Sequence, residues 1–487
     1  MSLRQRAVQG VVWSAIQNWG SNLLSMAVFL VLARLLMPEA FGLVALASAF
    51  TGFLAVFLTQ GFGGAIVQRS ELEPEHLDTA FWINVLSGVA LTAICIACAG
   101  VVARLFGEPQ LKPLVRWLSL SLLIGAFSAT QEAILMRRLA FKSLAIRRLV
   151  ASAAGGCVGI GMAVGGLGVW SLVGQNLAGG LVGVAALWQA SEWRPGFNVS
   201  AKHARDLFSF GINMLGIQIL RFVNRRADTM LIGYFLGPVA LGYYTVAYGL
   251  LLRMTQMLMQ TVSSVSLPTF SRLQHDPGQM RHAFFTAIRM TSLLAFPAFI
   301  GVATLAPELV PGLFGSKWTP SIPVMQILAL IGILQSVQYF NGSVILAMGK
   351  PSWLLALRAL STVVHVTAFA VAVRWGIVAV AGAFVMSGYI LSPLPAWMVH
   401  KLIGVKLTRC FWECAAPLAA SLTMMVCILI SRALLDESMN LYAVLSFYII
   451  SGALVYVSAI LVIAPNLPRE VMDLARLAVS GQTTDNA

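Results

Sequence analysis

About fourteen mostly apolar stretches, each near the ~20 residues a helix needs to cross a bilayer, follow one another along the chain with connecting loops of no more than about 20 residues. This pattern leaves little freedom. In lipid a backbone N–H or C=O without a partner is costly, so each stretch must satisfy its own hydrogen bonds and is read as a helix. The segments run approximately 11–35, 40–66, 79–103, 114–135, 149–166, 169–189, 209–232, 239–262, 284–305, 321–347, 354–373, 377–398, 415–434 and 441–464. Composition agrees: 59% of residues are hydrophobic and 10% charged, against about 25% charged in soluble domains. The fold class predicted is an all-α polytopic membrane protein.

The short loops leave no room for a soluble catalytic domain, and the reading is of a carrier rather than an enzyme. Neither metal nor cofactor is called for. Of six cysteines, Cys95 and Cys98 lie inside the apolar run Leu91–Val102, where packing accounts for them; Cys410 and Cys414 have no histidine beside them. Arg4 and Arg6 precede an apolar stretch too long for a signal peptide, so it is read as a retained first span.

The net charge of +14 needs no nucleic acid to explain it. With both termini placed on the cytoplasmic side, the basic residues concentrate in the inside loops, as in Arg137, Arg138, Lys142, Arg147 and Arg148. This predicts a multi-pass inner-membrane protein with both ends cytoplasmic. From Leu467 to Val479, Leu467, Val471, Leu474 and Ala478 fall at helical spacing, as in a short helix lying on the membrane surface.

The chain repeats itself. Leu36-Met37-Pro38-Glu39-Ala40-Phe41-Gly42, followed by Ala47, is echoed by Leu236-Gly237-Pro238-Val239-Ala240-Leu241-Gly242, followed by Ala247. Gly168-Val169-Trp170 is echoed by Gly376-Ile377-Val378. Six spans separate the copies, which gives them the same orientation and predicts a parallel pseudo-repeat of two six-helix lobes. The lobes are placed at 1–205 and 206–400; two further helices and a tail occupy 401–487.

The seventh span is the most informative, because charge inside a membrane must face a cavity or a partner. It carries Arg221, Arg225, Arg226 and Asp228. At about 100° per residue, Arg221, Arg225 and Asp228 share a face, and Asp228 is set to pair with Arg225. The excess positive charge calls for an anionic ligand, and the planar guanidinium fork suits a phosphate. Arg253 in the eighth span, followed by Gln256 and Gln260, is assigned to the same cavity. Asn18 and Asn22 in the first span, with Gln17 and Ser21, suit sugar hydroxyls or interhelical hydrogen bonds, as do Gln335, Gln338 and Asn341.

Other features read as structural. Arg289 and Arg358 are expected to snorkel at cytoplasmic helix ends. Tyr243, Tyr244 and Tyr248 are expected at the membrane interface, and His365 as a packed residue. The pairs Gly155 and Gly159, Gly161 and Gly165, and Gly179 and Gly183 are assigned to close helix packing.

Taken in order and spacing, a set of short pieces resembles the Wzx-type polysaccharide flippases of the multidrug/oligosaccharidyl-lipid/polysaccharide exporter superfamily, nearest the colanic acid and exopolysaccharide branch. The pieces are Ser2-Leu3-Arg4, Trp13-Ser14-Ala15-Ile16, Phe41-Gly42-Leu43, Ile66-Val67-Gln68-Arg69 and Phe81-Trp82-Ile83-Asn84 in the first half. Leu241-Gly242-Tyr243-Tyr244, Leu267-Pro268-Thr269-Phe270-Ser271-Arg272 and Leu313-Phe314-Gly315-Ser316-Lys317-Trp318 follow in the second. The resemblance implies two six-helix lobes with two terminal helices. It also implies transfer of undecaprenyl-pyrophosphate-linked repeat units to the periplasmic leaflet through a cationic chamber, for exopolysaccharide, capsule or lipopolysaccharide synthesis. A separate polymerase and chain-length regulator would be partners.

Three rival readings stand against these features. A multidrug antiporter of the superfamily needs a buried carboxylate in the first lobe, and Glu132 stands near a span end. A membrane-embedded glycan polymerase needs a sizeable periplasmic loop. A peptidoglycan-precursor flippase differs only by resemblance.

Overall fold

The structure, a computed structural model, describes residues 20–59, 66, 73–434 and 440–465; side chains are described there except at 59, 74, 201–215, 217, 260–269 and 407. Asn18, Gln17, Arg4, Arg6 and the surface helix predicted over 467–479 lie outside the described residues, as does the side chain of Gln260. The described chain is helical. α1 is Gly20–Leu35, α2 Pro38–Thr59, α3 Pro74–Leu105, α4 Leu111–Arg137, α5 Phe141–Val164 and α6 Trp170–Ala190. α7 is Ala201–Arg272, α8 Pro277–Phe314, α9 Ile322–Gln338, α10 Asn341–Ala347 and α11 Pro351–Ala372. α12 is Ile377–Leu391, α13 Pro393–Ile403, α14 Leu407–Leu434 and α15 Leu441–Ile463. Among the described residues 12 helices are long and apolar enough to cross a membrane.

The seventh and eighth predicted spans are the two limbs of α7, separate helices that meet at a kink at Gly237. That glycine takes φ 78°, a conformation a side chain disfavours. Pro238 then opens the second limb, as Pro38 opens α2, in the first helical turn where its missing N–H costs nothing. The two copies of the repeat meet reciprocally. A Cβ added at Gly42 would land on the carbonyl of Pro238, and one added at Gly242 on the carbonyl of Pro38.

Packing divides the chain into two compact units. The first comprises Met1–Arg253 and Arg358–Val380; the second comprises Met254–Leu357 and Ala381–Ala487. In the first, small residues let α5 and α6 close up: a Cβ at Gly155 would stand 2.6 Å from the Gln175 carbonyl, and one at Gly179 3.0 Å from that of Ala151. Gly161 faces nothing within 4 Å, so that pair does not serve the packing expected of it.

In the second unit α8 holds three internal prolines, Pro297, Pro307 and Pro311. Each removes the N–H that the carbonyl four residues earlier would have used. For two of the three, other helices supply replacements. The Tyr456 hydroxyl of α15 donates to the Leu293 carbonyl at 2.7 Å, and Gln326 Nε2 of α9 donates to the Ala303 carbonyl at 3.3 Å. Arg432 of α14 braces the same stretch without replacing a proline's N–H, donating to Glu308 and to the Thr304 carbonyl, both at 2.7 Å. Around these bonds Ile300, Leu305, Met424, Ile428 and Leu445 form an apolar cluster with Tyr448.

Candidate anion-binding site

The first limb of α7 sorts its charges by rotation. Arg221 and Arg225 are exposed, Arg226 is half-buried and Asp228 is buried at 6% exposure. Helical spacing set Asp228 against Arg225; the fold instead turns its carboxylate toward the second limb. One oxygen accepts from the Thr229 backbone N–H at 2.6 Å and the Thr229 hydroxyl at 3.2 Å. The other accepts from the Tyr244 hydroxyl at 3.1 Å. Tyr244 is 1% exposed and stacks on Tyr248, with ring centroids 6.0 Å apart. It is therefore no interfacial anchor: the break at Gly237 folds it back onto the buried acid. Tyr248 lies within electrostatic reach of Asp228, Arg225 and Arg226.

Asp228 thus spends its hydrogen bonds away from the arginines; Arg226 lies within its electrostatic reach, while Arg221 and Arg225 form no ion pair with it. A third guanidinium joins them. Arg358 on α11, expected to snorkel at a helix end, lies within electrostatic reach of both Arg221 and Arg225. The two helices are tied at this level: Asn224 Nδ2 donates to Thr362 Oγ1 at 2.9 Å, and that hydroxyl donates to the Arg358 carbonyl at 2.8 Å. The sequence did carry a signal for Arg358. With Thr362 and His365 it forms a stripe at spacings of four and seven, one face of a helix. His365 stacks on Phe369 at 6.1 Å and feels the charge of Arg358. Three arginines of one sign, held near each other on spanning helices, repel in isolation and would each lose about 3 kcal/mol or more facing acyl chains. They are suited to a multiply charged anion.

The remaining candidates fall elsewhere. Arg253 is half-buried, its guanidinium 4.0 Å above the Phe29 ring of α1 and donating to the Gly249 carbonyl at 2.9 Å. Asn22 lies half-buried on α1. Gln338 and Asn341, grouped with Asn22 by chemistry, instead border an apolar cavity of about 610 Å³ in the second unit. There Gln338 donates to the Ser392 carbonyl at 3.3 Å. Arg289 pairs with Glu413 at 3.7 Å.

Two acids at helix ends of the first unit are also engaged. Glu132 meets Arg147 at 2.8 Å, and Asp78 accepts from the Gly196 N–H at 3.0 Å. No group of three His, Cys, Asp or Glu among the described residues is placed to hold a metal ion.

A family described as polysaccharide biosynthesis proteins matches residues 31–323. The chain is 24% identical to the teichuronic acid biosynthesis protein TuaB of Bacillus subtilis, over 98% of this chain and 100% of that protein. It is 27% identical to the succinoglycan biosynthesis transport protein ExoT of Rhizobium meliloti, over 96% and 95% respectively. Its fold is that of the lipid II flippase MurJ in an inward closed conformation: TM-score 0.77 at 16% identity, over 94% of this chain and 99% of that one.

Proposed function

Because this chain belongs to the polysaccharide biosynthesis protein family, we propose that it flips lipid-linked oligosaccharide repeat units across the membrane for polysaccharide export. The observation that carries the reading is the convergence of Arg221, Arg225 and Arg358 with their charge uncancelled. A pyrophosphate joining a glycan to a lipid is the anion such a site fits, because each guanidinium can bond two of its oxygens at once. The relatives support this through their printed roles, teichuronic acid biosynthesis for one and succinoglycan transport for another.

In this reading the substrate is an undecaprenyl-pyrophosphate-linked oligosaccharide, and transfer runs from the cytoplasmic to the periplasmic leaflet of a bacterial inner membrane. Both termini face the cytoplasm, and a polymerase and chain-length regulator act next. Arg226, Asp228 and Tyr244 position the arginine-bearing limb, while Arg253 and the amides of Asn18 and Asn22 line the path of the head group. The lobes at 1–205 and 206–400 alternate around it. Reciprocal contact between the Gly42 and Gly242 copies supports this duplicated plan, since a two-fold relation makes each copy touch the other in the same way. A coupled multidrug antiporter fits less well. It would need a buried carboxylate near mid-membrane in the first lobe, whereas Glu132, paired with Arg147, and Asp78, bonded to the Gly196 backbone, stand near helix ends.

The test is the quantity and leaflet of lipid-linked oligosaccharide in cells lacking the chain. Accumulation facing the cytoplasm, with surface polysaccharide lost, is the expected result. Unchanged intermediates together with altered drug sensitivity would overturn the proposal.

A further inference from the structure

We propose that a cavity between α2, α5 and α6 is a neutral sugar-binding pocket. It would recognise a hexose ring of the lipid-linked substrate separately from the pyrophosphate. The cavity measures about 290 Å³ and is bordered by Val44, Ser152, Leu172, Gln175 and Asn176. That is close to the lower bound of roughly 300 Å³ for small-molecule sites, in keeping with one ring rather than a whole repeat unit.

Three observations converge on this assignment. First, Ser152, Gln175 and Asn176 make no hydrogen bond to the protein among the described residues. A spanning helix does not leave a hydroxyl and two carboxamides unpaired against lipid, so they must be satisfied by water or by a ligand.

Second, the lining holds no charged group; Arg147 on α5 is occupied by Glu132. The ligand is therefore neutral. The hydroxyl and carboxamides offer donors and acceptors side by side, which is what vicinal sugar hydroxyls require.

Third, the pocket is held in shape. Close contact of Gly155 with the Gln175 carbonyl and of Gly179 with the Ala151 carbonyl locks α5 onto α6, so the polar groups stand on a fixed wall. α1 follows α5 at the same level: a Cβ at Gly20 would stand 3.2 Å from Leu149 and one at Gly156 2.5 Å from Val28. Asn22 of α1 lies between those two points in the sequence.

This pocket rests on the flippase reading, and the experiment separates the two. Purified full-length protein is titrated with a short-chain prenyl diphosphate and with its glucosyl and galactosyl derivatives. The wild type is expected to bind at least one glycosylated probe more tightly than the bare diphosphate. Gln175→Leu combined with Asn176→Leu should remove that gain, about tenfold for two lost hydrogen bonds, and leave binding of the bare diphosphate intact. That retained binding is also the control for folding. Arg225→Glu should weaken all three probes together.

A wild type with no preference for either sugar, or a preference that survives the double substitution, would overturn the pocket alone. A wild type that binds none of the probes would overturn the flippase reading itself, and the pocket with it. Should the double variant fail to fold, Ser152→Ala must show a smaller loss confined to the glycosylated probes, or the proposal falls.

Discussion

Gly42 and Pro238 stand so close that the smallest side chain would collide with a backbone carbonyl, and Gly242 stands in the same relation to Pro38. Neither contact can relax by a rotamer change, because the obstructing atom belongs to the backbone. Gly42→Ala and Gly242→Ala should each lower thermal stability in detergent by about 1–3 kcal/mol, the usual cost of overpacking. Reciprocity adds a sharper requirement: the two losses should be similar. If one substitution proves silent, the two copies are not equivalent.

The arginines predict opposite signs for stability and function. Arg358→Gln removes a repulsion with Arg221 and Arg225, so the ligand-free protein should melt at a higher temperature while lipid-linked intermediates accumulate in cells. Arg358→Lys keeps the charge but loses the planar fork, and transport should fall between wild type and Arg358→Gln. A melting temperature that drops with Arg358→Gln would mark the residue as structural.

Asp228 depends on Tyr244 for one of its oxygens. Tyr244→Phe should therefore cost about 1–3 kcal/mol, the penalty for stripping a buried polar group of a partner. Asp228→Asn takes the buried charge away, so adding it to Tyr244→Phe should cost less than it does alone. A thermal-melt double-mutant cycle reads this coupling, and additive losses would show that the hydroxyl does not serve the carboxylate.

The replacement donors on α8 can be tested in the same manner. Tyr456→Phe and Gln326→Leu each leave a carbonyl bare, at about 1–3 kcal/mol apiece. Leu293 and Ala303 are separated by about 15 Å along the helix, so the two losses should add. Pro297→Ala restores the N–H that Leu293 lacks, and in that background Tyr456→Phe should become nearly harmless. A full loss persisting there would disprove the assignment.

Hydropathy located the helices because lipid imposes one rule on every segment, and each predicted span has a helical counterpart wherever the chain is described. It blurred most at α7. Arg221, Arg225 and Arg226 lower the apolarity of the first limb, and the kink at Gly237 that parts it from the second is a matter of backbone geometry. The arginines of α7 were visible because they interrupt an apolar run. Arg358 was visible only as a stripe with Thr362 and His365, since its neighbours lie more than a hundred residues away and nothing local announces them. Asp228 misled for the opposite reason. Its local neighbour Arg225 was one turn away, while the partner it takes, Tyr244, arrives from beyond the break. Ser152, Gln175 and Asn176 carry no local signal, because they come together only where α5 packs on α6.

The prolines of α8 carry a mechanical consequence. A regular helix resists bending because each rung must stretch or break, and in a bilayer a broken rung has no water to fall back on. At Leu293 and Ala303 those rungs have already been handed to side chains of neighbouring helices, whose torsions turn freely enough to follow a moving carbonyl. Flexing there asks a tyrosine and a glutamine to swivel and leaves no backbone group bare. α8 is thus a jointed rod with its joints kept covered, and the stiffness of each joint is set by a residue on another helix.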